Sequence, residues 1–165
     1  MKTLCLTMTV VVSFLIYSHQ LQAQTSLTKL DQVELSKQFI GNWKWDVTKD
    51  TTAYYMGKSY GTGFGGNYKF VTKGETIIEG ERFYGYDKKV DKYIGVSTVK
   101  EQDITIYAMW FTSNNSFIVI NYYDISNPEK AIWKVEGEFK SPDMFTQTII
   151  IDSKPAVTET IIRLE

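Results

Sequence analysis

Glu79 and Glu81 stand two residues apart in an alternating run, so on a strand both carboxylates leave the same face. Paired carboxylates can perform acid/base work on glycosidic bonds. A solvated face with Arg82 and lysines nearby is the plainer reading, and nothing else in the sequence supports the first. The densest glycine run, Gly61-Thr62-Gly63-Phe64-Gly65-Gly66, has the composition of a phosphate-cradling loop. It lacks both the Gly-Lys-Ser/Thr ending and the following helix that such loops need. Asn67-Tyr68-Lys69-Phe70 continues as strand instead, so a flexible turn or bulge at a sheet rim, able to gate a cavity mouth, is expected. No Asp-x-Asp-x-Asp-Gly run is present to hold calcium.

What the chain lacks bounds its chemistry further. The one histidine and the one cysteine are His19 and Cys5. Both fall within residues 1–23, which read as a secretory signal peptide. Met1-Lys2 is its charged start, an apolar run follows to Tyr17, and Ser18-His19-Gln20-Leu21-Gln22-Ala23 is its polar end. The expected mature chain therefore starts at Gln24 and has no histidine or cysteine. It can build no disulfide, no Cys/His zinc site, no His-ligated haem, no catalytic thiol and no Ser-His-Asp triad. Catalysis would be limited to Asp/Glu, Lys, Tyr or Ser/Thr chemistry, and no enzyme is expected. No metal and no cofactor is expected either.

The formal net charge of −1 gives no reason to expect nucleic acid or an anionic membrane surface as a partner. No stretch after the signal is long and apolar enough to span a membrane. Aromatic residues make up 15% of the chain, a load that favours strands.

These side chains must be positioned by one domain. Residues 24–40 place Leu27, Leu30, Val33 and Phe39 at helical spacing and form a short amphipathic lead. From residue 41 the period changes to two. Runs near 43–48, 68–70, 77–83, 93–99, 103–112, 116–123, 131–140, 144–151 and 157–164 alternate, separated by turn-like clusters. Prolines occur only at the separators. About nine or ten strands joined by short hairpins describe an antiparallel meander, which closes to remove its edges. Residues 41–165 are thus expected to form a closed or nearly closed, all-β, up-and-down barrel. The runs 103–112 and 116–123 are apolar on both faces. Either a partner covers the second face, or the residues lie deep in the wall against the helix.

Two residues stand out as closure elements. Gly41-Asn42-Trp43 opens the first strand, and Arg163 lies on the last. Only Arg82 and Arg163 are arginines, so a role needing a planar, stacking cation is a reasonable inference for Arg163. In a closed barrel first and last strands are neighbours, which would let Arg163 stack on Trp43.

Gly41-x-Trp43, the central Gly85-Tyr86-Asp87 and Lys92-Tyr93-Ile94-Gly95 segments, and the ending Glu159-Thr160-Ile161-Ile162-Arg163 together resemble a family of secreted bacterial lipocalin-like barrels within the calycin group. In the wider group a tryptophan of the first motif packs against an arginine from the last strand, which by resemblance maps onto Trp43 and Arg163. Haem-binding members of similar size use a histidine near the C-terminal end, so that activity is not carried over. The resemblance implies export to a periplasm or the extracellular space. It also implies a small apolar or amphipathic molecule bound inside the barrel. The candidate wall for that molecule is Trp45, Tyr68, Phe83, Tyr107, Met109 and Phe117. The alternative is a protein-interaction module with a filled barrel and outer aromatic contacts.

Overall fold

A computed structural model describes residues 29–100 and 102–165. The expected signal peptide, 1–23, and the first part of the helical lead lie outside the described residues.

Ten antiparallel strands form the wall: β1 (Gly41–Thr48), β2 (Thr51–Tyr60), β3 (Gly63–Thr72), β4 (Glu75–Asp87), β5 (Lys92–Val99), β6 (Thr105–Phe111), β7 (Ser116–Asn121), β8 (Trp133–Ser141), β9 (Met144–Ile151) and β10 (Lys154–Leu164). Each pairs with its neighbour in sequence, and β10 pairs back onto β1 to close the barrel. Closure leaves no free edge to be covered. Among the described residues no helix is long and apolar enough to cross a membrane.

The strand count differs from the nine alternating runs because β2 was not legible. Its Met56-Gly57-Lys58-Ser59 stretch carries no apolar alternation. Its inward positions include the small residues Ala53 and Gly57, and a side chain at Gly57 would begin 2.5 Å from the Phe39 carbonyl oxygen. The glycine run also differs from expectation. Gly61-Thr62 makes the turn, but the residues from Gly63 onward belong to β3, and from Phe64 they pair with both β2 and β4. A side chain at Gly66 would begin 1.8 Å from the Met56 carbonyl oxygen, so glycine there serves close strand approach.

Within the described part of the helical lead, helix begins only at Gln32. Helix α1 (Gln32–Ser36) continues into a 3₁₀ turn at Lys37–Phe39. Asp31 caps it by accepting from the Glu34 amide at 3.0 Å. The helix closes one end of the barrel. Gln32 is buried and holds the end of β6 with both halves of its amide. Its Nε2 donates to the Phe111 carbonyl at 3.0 Å, and its Oε1 accepts from the Phe111 amide at 2.7 Å. The Tyr93 hydroxyl bridges Ser36 Oγ at 2.8 Å and the Thr62 carbonyl at 2.9 Å. The Gly61-Thr62 turn is therefore tied down at the helix end.

Beneath the helix lies the core. Phe39 sits among Phe64, Phe111, Phe117, Phe139 and Phe145, with ring centroids 4.9–6.0 Å apart. Trp43, Tyr93, Met109 and Ile161 complete it, each almost wholly removed from water. Rings lie over glycines of the next strand. A side chain at Gly137 would begin 2.1 Å from the Phe117 ring.

The two-faced strands β6 and β7 find their second cover locally. Ala108 and Ile120 are buried on the outer side with Ala131, and Ile94, Trp110, Ile118 and Ile125 pack around them. Residues 122–132, two 3₁₀ turns between β7 and β8, fold back over the wall. The inner face of these strands meets the helical lead, where Gln32 and Phe39 reach Phe111 and Phe117, and this connection covers the outer face.

Candidate functional site

Period two fixes which side chains enter the barrel, and the register shows the consequence. Trp43 pairs with Tyr55, Tyr55 with Tyr68, and Tyr68 with Gly80, so these positions share the inner face. A second inner row runs Gly57, Gly66, Arg82, Ser97 and Thr105, and a third runs Phe64, Tyr84, Gly95 and Tyr107. Arg82 therefore points inward, between Gly80 and Tyr84 on the same face of β4.

Its surroundings are phenolic. The guanidinium lies 5.5 Å from the Tyr68 ring centroid and 5.4 Å from that of Tyr107. Tyr84 and Tyr55 complete the cage. Burial works against the charge, and the surrounding tyrosines act the other way; an arginine keeps its proton in any case. Among the described residues no ion pair includes Arg82. Its Nε is enclosed without a hydrogen-bond partner, and so is the Tyr55 hydroxyl. Burial pushes the Tyr55 hydroxyl well above its ordinary pKa, and Tyr84 is raised for the same first reason, with Arg82 opposing. Both hydroxyls are protonated donors at neutral pH. The Tyr68 hydroxyl is engaged, 3.2 Å from both Ser97 Oγ and the Thr98 carbonyl.

The two ends of the barrel differ. At the helix end the inward side chains are buried. At the other end Trp45, Phe70, Tyr107, Val119, Trp133 and Ile149 point inward and yet are only half-buried. Trp45 meets Phe70 edge-on at 6.1 Å, and Tyr107 meets Trp133 at 5.6 Å. Inward apolar surface that keeps its exposure marks an open mouth. On the far wall Gln147 donates to Glu159 at 2.6 Å.

Of the wall residues expected from sequence, Trp45, Tyr68 and Tyr107 line this open half. Met109 and Phe117 are buried deeper, in the aromatic core. Phe83 departs from the set. It lies on the outer face with Glu79 and Glu81, exposed and edge-on to Tyr60 at 5.6 Å. The physical reason is strand parity: Arg82 and Tyr84 take the inner positions, so Phe83 between them cannot. Arg82 was missed as a site residue, although the exposed charges at 79 and 81 already assign it to the opposite face. Trp133 was missed although it lies in the alternating run 131–140, because alternation alone does not say which of its faces is the interior.

Trp43 and Arg163 are cross-strand partners. The guanidinium carbon lies 4.2 Å from the Trp43 ring centroid. Arg163 also donates from Nη2 to the Gln38 carbonyl at 3.2 Å, from Nη1 to the Ile40 carbonyl, and from Nε to the Pro142 carbonyl at 3.1 Å. Trp43 Nε1 donates to the Phe39 carbonyl at 3.1 Å. This pair joins the barrel seam to the helical lead and stands apart from the open mouth.

A groove of about 710 Å³ runs across the outside of β1 to β5. Tyr54, Met56, Asn67, Lys69, Glu79 and Glu81 are among its lining side chains. The two glutamates thus face outward, opposite the barrel interior.

A closed ten-stranded antiparallel barrel with one short helix defines an all-β class compatible with a calycin-like fold. No family profile matches the sequence, and no curated protein sequence matches it either.

Proposed function

We propose that this protein is an exported, lipocalin-like binder of a small apolar or amphipathic molecule, held in the open half of the barrel, and that it is not an enzyme. The observation that carries the reading is the half-exposure of inward-facing Trp45, Phe70, Tyr107, Val119, Trp133 and Ile149. Covering such surface releases about 25 cal/mol per Å² of apolar area, enough to hold a small ligand without covalent chemistry. The tyrosine hydroxyls near Arg82 supply the few polar groups that fix orientation. Native mass spectrometry of protein purified from its own host tests this directly. A co-purified small mass is expected; a barrel that carries none and takes up no amphiphile in titration would sink the reading.

The runner-up is a protein-interaction module with a filled barrel. The outer groove favours it, since Tyr54 and Met56 there offer apolar contact between charged groups. Under that reading, substitutions in the groove would abolish function and substitutions at the open mouth would not.

A further inference from the structure

We propose that Arg82 anchors the head group of the bound molecule and that this head group is a carboxylate. The inference rests on the barrel-binding reading above and names the ligand class: a singly charged anionic amphiphile.

A guanidinium inside a protein is normally satisfied by a carboxylate or by a full set of acceptors. Arg82 has no carboxylate among the described residues: the Tyr84 hydroxyl interacts with the guanidinium, but its Nε is enclosed and unpartnered, and it enters no ion pair. The Tyr55 hydroxyl beside it is equally unpartnered. These are two unused donors in one cage, one charged and one neutral. The residue as a whole is not fully buried, and it faces Tyr107, one of the half-exposed inward residues of the mouth. The chain supplies a cation and a neutral donor, and the missing component is an anionic acceptor.

The number of charges selects among anions. One guanidinium neutralises one negative charge, and its planar fork matches the two oxygens of a carboxylate. A phosphate dianion would leave an excess charge in a partly desolvated site. Beyond Arg82 the inner wall is apolar through Tyr107, Val119, Trp45 and Trp133 toward the mouth, so an alkyl or similar tail would trail outward.

Three ligands of equal chain length test this: dodecanoate, dodecanol and dodecyl phosphate. Each is titrated below its micelle concentration against the purified protein and against Arg82→Gln and Tyr55→Phe. Dodecanoate is expected to bind at least about tenfold more tightly than dodecanol, the worth of one charged hydrogen-bonded pair. Arg82→Gln should bring that ratio to about one, and Tyr55→Phe should lower it by less. Equal binding of acid and alcohol, or an unchanged ratio in Arg82→Gln, overturns the anchor and leaves barrel binding standing. Tighter binding of the phosphate than of the carboxylate overturns the head-group assignment. If none of the three binds, the barrel-binding reading itself falls, and the anchor with it. Should Arg82→Gln fail to fold, the acid-to-alcohol ratio of the unaltered protein decides alone.

Discussion

At the scale of single residues, the two arginines divide the work of the barrel. Arg163 is spent on structure: its guanidinium stacks on Trp43 and donates to carbonyls at Gln38, Ile40 and Pro142. Gly41, at φ +124°, has to be glycine, because a side chain there would begin 2.2 Å from Arg163 Nη1. Trp43→Ala should cost about 3–5 kcal/mol in denaturant unfolding, since the ring is buried. Arg163→Ala should cost about 2–4 kcal/mol, because charged hydrogen bonds are lost with the stacking. The double mutant should be less destabilised than the sum of the singles, and strict additivity would show that the contact carries no coupling. Arg163→Lys should recover only part of the loss, because an ammonium cannot present the same planar fork. Arg82 shows the opposite balance. Among the described residues its charge has no counter-ion, so Arg82→Met should leave stability unchanged or raise it by about 1 kcal/mol. A loss above about 2 kcal/mol would mean that the cage itself needs the guanidinium.

At the scale of elements, the helical lead is held by specific hydrogen bonds rather than by its own length. A five-residue helix is far too short to persist alone. The Gln32 amide extends the ladder of β6, replacing the partner that the strand end would otherwise lack. Gln32→Leu keeps the size and removes both bonds, leaving the Phe111 amide and carbonyl buried and unpaired. It should destabilise the protein by about 1–3 kcal/mol and speed hydrogen exchange at the Phe111 amide above all others in β6. Uniform acceleration along β6 would instead indicate loss of the whole strand. The connection between β7 and β8 plays a similar covering part on the outside. It buries Ala108 and Ile120 with Ala131, which gives the apolar outer face of two strands a use within the same chain.

At the scale of the whole molecule, folding holds the protons of several tyrosines. Tyr55, Tyr84 and Tyr93 are raised chiefly by burial, and Tyr86 is pushed up to about 12 chiefly by its hydrogen bond to Asp91. The folded chain therefore holds these protons more tightly than the unfolded chain does. The stability they contribute is complete below the ordinary tyrosine value of about 10 and is lost as pH rises through the folded values. Melting temperature should stay level up to about pH 10 and fall steeply above it. Site-resolved NMR titration should find Tyr55, Tyr84, Tyr86 and Tyr93 ionising only together with unfolding; ionisation of these four near pH 10 in the folded state would contradict this. Asp91 works at the other end of the scale. The Tyr86 hydrogen bond comes first and Lys29 helps, together holding its carboxyl below the usual range. Its contribution is present above the unfolded pKa and is lost as pH falls through the folded one. Export is the remaining whole-chain expectation. Protein collected outside the cytoplasm should begin at or near Gln24, and retention of residues 1–23 in a membrane fraction would contradict the signal-peptide reading.

The amino-acid sequence by itself determined the antiparallel all-β class, the N-terminal placement of a short helix and most of the strands. Period-two alternation and turn residues are local properties, readable wherever enough side chains alternate. Where they do not alternate, as in β2 and the glycine-bearing start of β3, the strand came from backbone approach between neighbours, which no single-strand pattern encodes. The two apolar faces of β6 and β7 were visible, but their cover by residues 122–132 was decided by how the chain folds back. The same holds for the site. That Arg82 and Phe83 must leave opposite faces followed from alternation alone. Which face is the interior, which end is open, and that Tyr55, Tyr68, Tyr84 and Tyr107 from four different strands converge on one cation depended on closure and register. Such convergence is a property of long-range pairing, and only the tertiary structure supplies it.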